Sequence, residues 1–219
     1  MEIDPPRNRR LCHKIGLRGL WPFDIVNVDV TILRLLNNQK VYIYLIMDNF
    51  SRCILGWKAS LDKLDKDVAI QNLLEVWEKY FKGNPNLKPT RWISDGGPEN
   101  INHAIMAELK KRAGDVVAMV AQKDIRESNS MIEYLNRIAK YRYLYHYDIP
   151  DFQASLRHIE KFVDLNNNVI PQRVLRGHTP TEYLTGDCQF TIRSEDNVRE
   201  TKQARILTNK AHRCKICPA

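Results

Sequence analysis

Three apolar stretches between Ile25 and Ser60 follow one another with connections that are too short to hold a helix. In the first, apolar and polar residues alternate over Ile25–Ile32, which is the period of a strand. The second and third stretches, VYIYLIMD and CILGWKAS, come after the turn sequences NNQ and NFSR. Consecutive strands joined by short turns predict an antiparallel meander, which limits the chain to folds that contain such a sheet.

The spacing of apolar residues changes to that of amphipathic helices after this meander. We predict helices over Asp67–Phe81, 99–113, 128–145 and 152–165, with the short strands TRWISD and VVAMVA separating the first three helices. This order predicts an α/β fold in which a mixed five-stranded sheet carries helices on its faces.

The net charge of +8 and the isoelectric point of about 9.3 indicate a polyanionic partner. Residues 198–219 hold six basic residues and one acid, so this segment either contacts nucleic acid or is simply solvated. No apolar run approaches the roughly 20 residues of a membrane span. The first residues also lack the order of a secretory signal. We therefore expect no membrane association, and a location with the nucleoid in the cytoplasm of a bacterium or in the nucleus of a eukaryote.

Five cysteines without a secretory signal favour reduced thiols over a disulfide framework. Cys214 and Cys217 form a C-x-x-C pair that follows His212. A zinc site needs about four ligands, and the remaining candidates, Cys12 and His13, lie at the other end of the chain. Spare thiols are therefore the preferred interpretation over zinc.

Two aspartates are placed where strand carboxylates could meet. Asp95 ends the apolar strand TRWIS and precedes two glycines, at the kind of strand end where α/β sheets bind ligands. Asp29 lies within the first strand on its more polar face, where a carboxylate is costly unless it is paired or binds a metal. If the strands that carry Asp29 and Asp95 are neighbours, the two carboxylates converge.

A third carboxylate, Glu133, lies near the start of the helix predicted at 128–145. Asn129, Glu133, Arg137 and Lys140 are spaced by four, four and three residues, so they share one face of that helix. Carboxylates are typical Mg²⁺ ligands, and two such ions catalyse phosphoryl transfer. The basic residues would then hold neighbouring phosphates.

Each acid also has a structural alternative. Asp29 could pair with a buried arginine, Asp95 could cap the helix that follows it, and Glu133 could be a solvated helix residue. Asp48 competes for the site, although a turn between two hairpin strands is the more typical place for such an aspartate.

Four stretches resemble the DDE integrases and transposases of retroviral type, especially the integrase-core transposases of bacterial insertion sequences. They are FDIVNVDVTIL with Asp29, VYIYLIMDNFSRCILGWKAS with its aspartate–x–x–Ser–Arg turn, WISDGGPEN with Asp95, and SNSMIEYLNRIAK with Glu133. A later piece, LRGHTPTEYL, resembles the closing Thr-Pro segment of the family, and the resemblance spans residues 21–184.

The resemblance implies an RNase H-like core with helices on both faces of its sheet. It also implies an enzyme that cleaves and transfers DNA strands for a mobile element. The catalytic and metal-binding acids would be Asp29, Asp95 and Glu133, holding two Mg²⁺ or Mn²⁺ ions. Arg137 and Lys140 match positions that commonly contact the DNA end, and Asn129 is expected to contact DNA from the same helix face.

We expect a basic arm or linker over residues 1–20, the catalytic core over 21–187 and a basic tail over 188–219. The implied partners are element ends and target DNA, further copies of this chain on that DNA, and other transposition proteins. A domain that reads the element ends is expected elsewhere in a longer protein or is missing. Two other functions stay open, namely a nuclease that only hydrolyses DNA and a non-catalytic DNA-binding or assembly subunit.

Overall fold

The sheet is built from strands β1 (Ile25–Arg34), β2 (Lys40–Asp48), β3 (Ile54–Ser60), β4 (Thr90–Ser94) and β5 (Val116–Val120). Their order is β3-β2-β1-β4-β5. The first three strands pair antiparallel in chain order, which confirms the predicted meander. β4 pairs parallel to β1, and β5 pairs parallel to β4. The fold is therefore mixed α/β.

Four helices are described, namely α1 (Lys66–Val76), α2 (Ser130–Ile138), α3 (Phe152–Asp164) and α4 (Pro180–Thr185). The first three each continue as a π-helical turn, over Trp77–Phe81, Ala139–Tyr143 and Leu165–Val169. Short 3₁₀ turns cover Leu144–His146 and Arg173–Leu175. Of the helix predicted at 99–113, the residues that the structure describes are Ala107, Glu108 and Lys111, and all three are helical.

Side-chain caps start three of these helices. The Asp65 carboxylate accepts the N–H of Val68 at α1, and the Asp151 carboxylate accepts the N–H of Ala154 at α3. At α4, the Thr179 hydroxyl and the Glu182 carboxylate each accept the other residue's backbone N–H. These contacts satisfy N–H groups that have no partner within the helix.

Helices cover both faces of the sheet because successive side chains of a strand point to opposite faces. Tyr44 of β2 packs in one core cluster with Leu73 of α1. Its neighbour Leu45 packs in another with Ile132 of α2 and Ile159 of α3. The face that carries Leu45 also carries Asp29, its partner in the β1–β2 register. Asp29 therefore lies on the side of the sheet that α2 and α3 cover.

The outer edge strand β3 is paired at its first residue by a side chain. The backbone N–H of Ile54 donates to Asn167 Oδ1 at 3.0 Å, and Asn167 Nδ2 donates to the Ile54 carbonyl at 2.8 Å. The Asn167 amide thus takes the place of a peptide group of a further strand.

The computed structural model describes residues 17–63, 65–84, 88–94, 107–108, 111, 116–121, 129–187, 203–204 and 206–207. The chain divides into two compact units, Met1–Gly186 and Asp187–Ala219. In the first unit, Leu17 packs against a buried cluster that contains Ile25 and Ile93. Within the described ranges, no helix has the length and apolar character needed to cross a membrane.

Candidate functional site

Strand β1 places Asp29 next to the carboxyl end of β4. The two strands are parallel, Val28 pairs with Ser94, and Asp29 is the next residue along β1. Asp29 is half-buried, whereas Ser94 is buried. The condition under which the carboxylates of Asp29 and Asp95 would converge, that their strands are neighbours, is therefore met. Asp95, which follows Ser94 in the sequence, lies outside the described residues.

Helix α2 contacts Asp29 through Asn136. The Nδ2 of Asn136 donates a hydrogen bond to Oδ2 of Asp29. Asn136 is buried, at 7% exposure. A hydrogen bond of this kind orients a carboxylate, as outer partners of metal ligands do. Asn136 is not among the site residues predicted from the sequence, and the available signal was its position three residues after Glu133 on a helix.

Three buried asparagines fix the start of α2 to the sheet. The Nδ2 of Asn129 donates to the Val28 carbonyl at 3.1 Å, and Asn129 Oδ1 accepts from Asn27 Nδ2 at 2.6 Å. The Oδ1 of Asn27 accepts in turn from Asn49 Nδ2 at 2.9 Å. A buried amide that lost its partner would carry its full desolvation cost. The network therefore holds the helix at one position on β1.

The placement of Asn129 corrects the prediction that this residue contacts DNA. Asn129 is 1% exposed, and both polar atoms of its side chain bond to β1. It occupies the N-cap position of α2, but its side chain makes no capping hydrogen bond. The residue anchors the helix and is not accessible to a nucleic acid.

Glu133 is exposed on α2. It lies between Asn129 and Asn136, the two helix residues whose side chains bond to β1. Its backbone N–H donates to the Asn129 carbonyl at 3.2 Å. The structure thus places the helix stretch that carries Glu133 against the strand that carries Asp29, with the glutamate side chain open to solvent.

Basic side chains follow Glu133 along the same helix. Arg137 is exposed, and its guanidinium carbon lies 5.3 Å from the centre of the Tyr134 ring. Lys140 is half-buried in the π turn that continues α2. Within the described part of the chain, neither Arg137 nor Lys140 forms an ion pair. Both charges are thus available to an anionic ligand.

No group of three His, Cys, Asp or Glu side chains that could hold a metal ion occurs within the residues described. Asp29 and Glu133 are the two described members of the predicted acid set, and Asp95 is outside the description. The Cys214 and Cys217 pair, for which zinc was the alternative, lies outside it as well.

Asp48 has the turn role that the sequence favoured. Its carboxylate is fully buried and accepts the N–H of Phe23 at 2.9 Å, the N–H of Ser51 at 2.8 Å and the Ser51 hydroxyl at 2.6 Å. Burial raises the pKa of this carboxyl above its ordinary value, against the effect of these donors. The residue holds the β2–β3 turn and is not available as a metal ligand.

Comparison with solved structures places this fold among viral integrases. A chain of the simian T-cell lymphotropic virus intasome, solved in complex with the PP2A regulatory subunit B56 gamma, matches with a TM-score of 0.56 and 19% identity. The match covers 77% of this chain and only 56% of that one. The catalytic core domain of BIV integrase matches with a TM-score of 0.51 and 19% identity, covering 75% of this chain and 96% of that one.

A weaker similarity, with a TM-score of 0.46 and 12% identity, is to the catalytic domain of Mos1 mariner transposase, over 67% of this chain and 72% of that one. No protein-family model matches the sequence, and no curated protein is significantly similar to it. The two integrase matches, with TM-scores of 0.56 and 0.51, show that the chain has the fold of retroviral integrase catalytic cores.

Proposed function

We propose that this chain is the catalytic core of a DNA transposase or integrase that cleaves and joins DNA strands with the help of divalent metal ions. The observation that carries the proposal is the contact of α2 with β1. It sets the helix that bears Glu133 against the strand that bears Asp29, beside the end of β4, in a fold shared with integrase cores. Asp95, directly after β4 in the sequence, is proposed as the third acid.

The described donors fit Mg²⁺ or Mn²⁺. Asp29 and Glu133 offer carboxylate oxygens, which these ions prefer over the thiols and imidazoles that zinc takes. Asn136 holds the Asp29 carboxylate through a hydrogen bond, which is a typical second layer of a metal site. When bound, two such ions activate the attacking oxygen and stabilise the leaving oxygen in phosphoryl transfer.

Arg137 and Lys140 are proposed to hold DNA phosphates next to the acids. Both follow Glu133 on the same helix, and Glu133 is the only acid between residues 129 and 147. Contacts of this kind give affinity that depends on salt and little on base sequence. The full reaction on element ends and target DNA is proposed to need further copies of this chain and other transposition proteins.

The test uses a labelled branched DNA in which one strand-transfer joint is already made, incubated with Mg²⁺ or Mn²⁺. Wild type is compared with Glu133→Gln, which keeps the side-chain shape and removes the charge. Glu160→Gln is the matched control, because Glu160 is also an exposed helix glutamate but lies on α3.

We expect metal-dependent resolution of the joint by wild type and by Glu160→Gln, and none by Glu133→Gln. Hydrolysis without joining would support a nuclease instead. DNA binding without any reaction would support a non-catalytic subunit, and joining by Glu133→Gln would remove this residue from the site.

A further inference from the structure

The backbone of Arg52 is held in a conformation that arginine rarely adopts. Its φ angle is +63°, in the left-handed region where a residue with a Cβ atom is strained. Arg52 follows Ser51 in the turn between β2 and β3, and its N–H donates to the Asp48 carbonyl at 2.8 Å. Because Asp48 also bonds to the N–H and hydroxyl of Ser51, the turn is fixed on several sides. Strain that is held in this way is common at binding sites.

The Arg52 guanidinium has no countercharge in the described part of the chain. Arg52 is half-buried and forms no ion pair with a described carboxylate. Burial of the Arg52 guanidinium and repulsion from Arg18, a second arginine, lower the pKa of Arg52, and Tyr134 acts in the opposite direction. A half-buried cation beside a like charge is unfavourable until an anion joins them.

The second arginine is held beside the turn by the residues around it. The N–H of Gly19 donates to Asn49 Oδ1 at 2.8 Å. A Cβ atom at Gly19 would lie 3.2 Å from the backbone nitrogen of Phe50, so the chain passes very close to the turn here. Arg18, the preceding residue, is exposed at this point. These contacts hold the backbone that carries Arg18 close to the turn that carries Arg52.

Arg52 lies next to the helix that carries Glu133. Arg52 lines a small open cleft together with Tyr134 and Leu135 of α2. On the same helix, the guanidinium of Arg137 lies over the Tyr134 ring. Tyr134 therefore neighbours two positive charges, Arg52 and Arg137.

We propose that Arg52 and Arg18 together bind a backbone phosphate of DNA, at a site separate from the acids and continuous with Arg137. This inference rests on the proposed function, which places α2 on DNA. Guanidinium groups bind phosphate oxygens through paired, charge-assisted hydrogen bonds. A phosphodiester would supply the missing negative charge between the two arginines. DNA is the occupant favoured here because a DNA strand bound at Arg137 would extend over the same surface, where Arg52 lies.

The test measures the affinity of duplex DNA over a range of salt concentrations by fluorescence anisotropy, together with thermal unfolding. Arg52→Asn removes the charge and puts a residue that tolerates the left-handed conformation at the strained position. Arg18→Gln removes the second charge at an exposed site. Arg34→Gln is the matched control, since Arg34 lies opposite the other end of β2, roughly 26 Å along the strand.

We expect Arg52→Asn and Arg18→Gln each to make the plot of log affinity against log salt concentration less steep, by the amount that corresponds to about one phosphate contact. Arg34→Gln should keep the wild-type slope. We also expect Arg52→Asn to unfold at the same temperature as wild type or at a higher one. Wild-type slopes in both variants would overturn this inference and leave the proposed function standing. A wild type that binds no DNA would overturn both.

Discussion

The side-chain amide of Asn136 donates a hydrogen bond to the carboxylate of Asp29, so α2 meets β1 at the acid that is proposed to bind metal. The contact joins residues that are 107 positions apart in the chain. An asparagine at this place can hold the carboxylate whether or not a cation is present, because a carboxylate has enough lone pairs to accept from an amide and also bind a cation. The geometry of Asp29 is therefore set by the fold before any ligand binds.

Replacing Asp29 by Asn separates charge from shape. The new side chain keeps an oxygen that can accept from Asn136, so we expect the unfolding free energy to change by less than about 1 kcal/mol. Metal-dependent joining should fall by a factor of about a thousand or more, because loss of a metal ligand costs several kcal/mol in the transition state. The measurement is resolution of branched DNA beside Asp67→Asn, an exposed control. Activity within about tenfold of wild type would show that Asp29 is not a ligand.

Truncating Asn129 to Ala should destabilise the protein. The change removes two buried hydrogen bonds and leaves the Val28 carbonyl and the Asn27 amide without these partners. We expect a loss of about 2–4 kcal/mol in the free energy of unfolding by urea. The double variant with Asn27→Ala should lose less stability than the sum of the two single variants, by about 1 kcal/mol or more, because both changes break the same hydrogen bond. Full additivity would contradict the network.

The buried carboxyl of Asp48 should make stability depend on pH. Burial raises its pKa in the folded protein above the ordinary value of 3.8, so the folded state holds the proton more tightly than the unfolded state. The resulting stabilisation is complete below the unfolded pKa and is lost as the pH rises through the folded pKa. We therefore expect the unfolding free energy of wild type, relative to that of Asp48→Asn, to decrease as the pH rises above the ordinary carboxyl value of 3.8. Urea titrations at a series of pH values measure this difference. A difference that rises with pH would mean that the donors around Asp48 outweigh its burial.

Gly56 lies where β3 and α1 pack together without room for a side chain. A Cβ atom there would be 2.3 Å from Cγ2 of Val76 and 2.7 Å from Oδ1 of Asn72. We expect Gly56→Ala to cost about 1–3 kcal/mol in unfolding free energy, because the helix must move away from the strand. Adding Val76→Ala should make the cost of Gly56→Ala smaller, which a double-mutant cycle measures. An unchanged cost would place the strain at Asn72.

Cys53 should be inert in the folded protein. It is 3% exposed, and burial raises the pKa of its thiol to about 12. In a variant with the other four cysteines replaced by serine, we expect a thiol reagent at about pH 8 to react only as fast as the protein opens. Reaction in denaturing urea gives the rate for the fully exposed thiol, for comparison. Rapid labelling of the folded variant would show that this part of the core opens easily.

Much of the fold could be predicted from the sequence because its elements follow strong local patterns. The alternation over Ile25–Ile32 and the short turns specify the meander, and the spacing of Leu73 and Trp77 specifies a helix. The placement of Asn129 could not be predicted in this way. Its polarity and its position near Glu133 suggest a surface contact, whereas the structure uses both ends of its amide inside the fold. Buried pairs of polar groups distant in sequence leave no periodic signal.

The Asn167 side chain, which pairs with the first residue of the edge strand β3, has a consequence for how the chain is synthesised. Its partner, Ile54, is made 113 residues earlier. During translation from the N-terminus, the first residue of β3 therefore waits for more than a hundred residues with its backbone groups open to pairing. An unprotected strand edge is the usual starting point of association between nascent chains. The backbone groups of Ile54 gain this partner only after the segment that follows α3 has emerged.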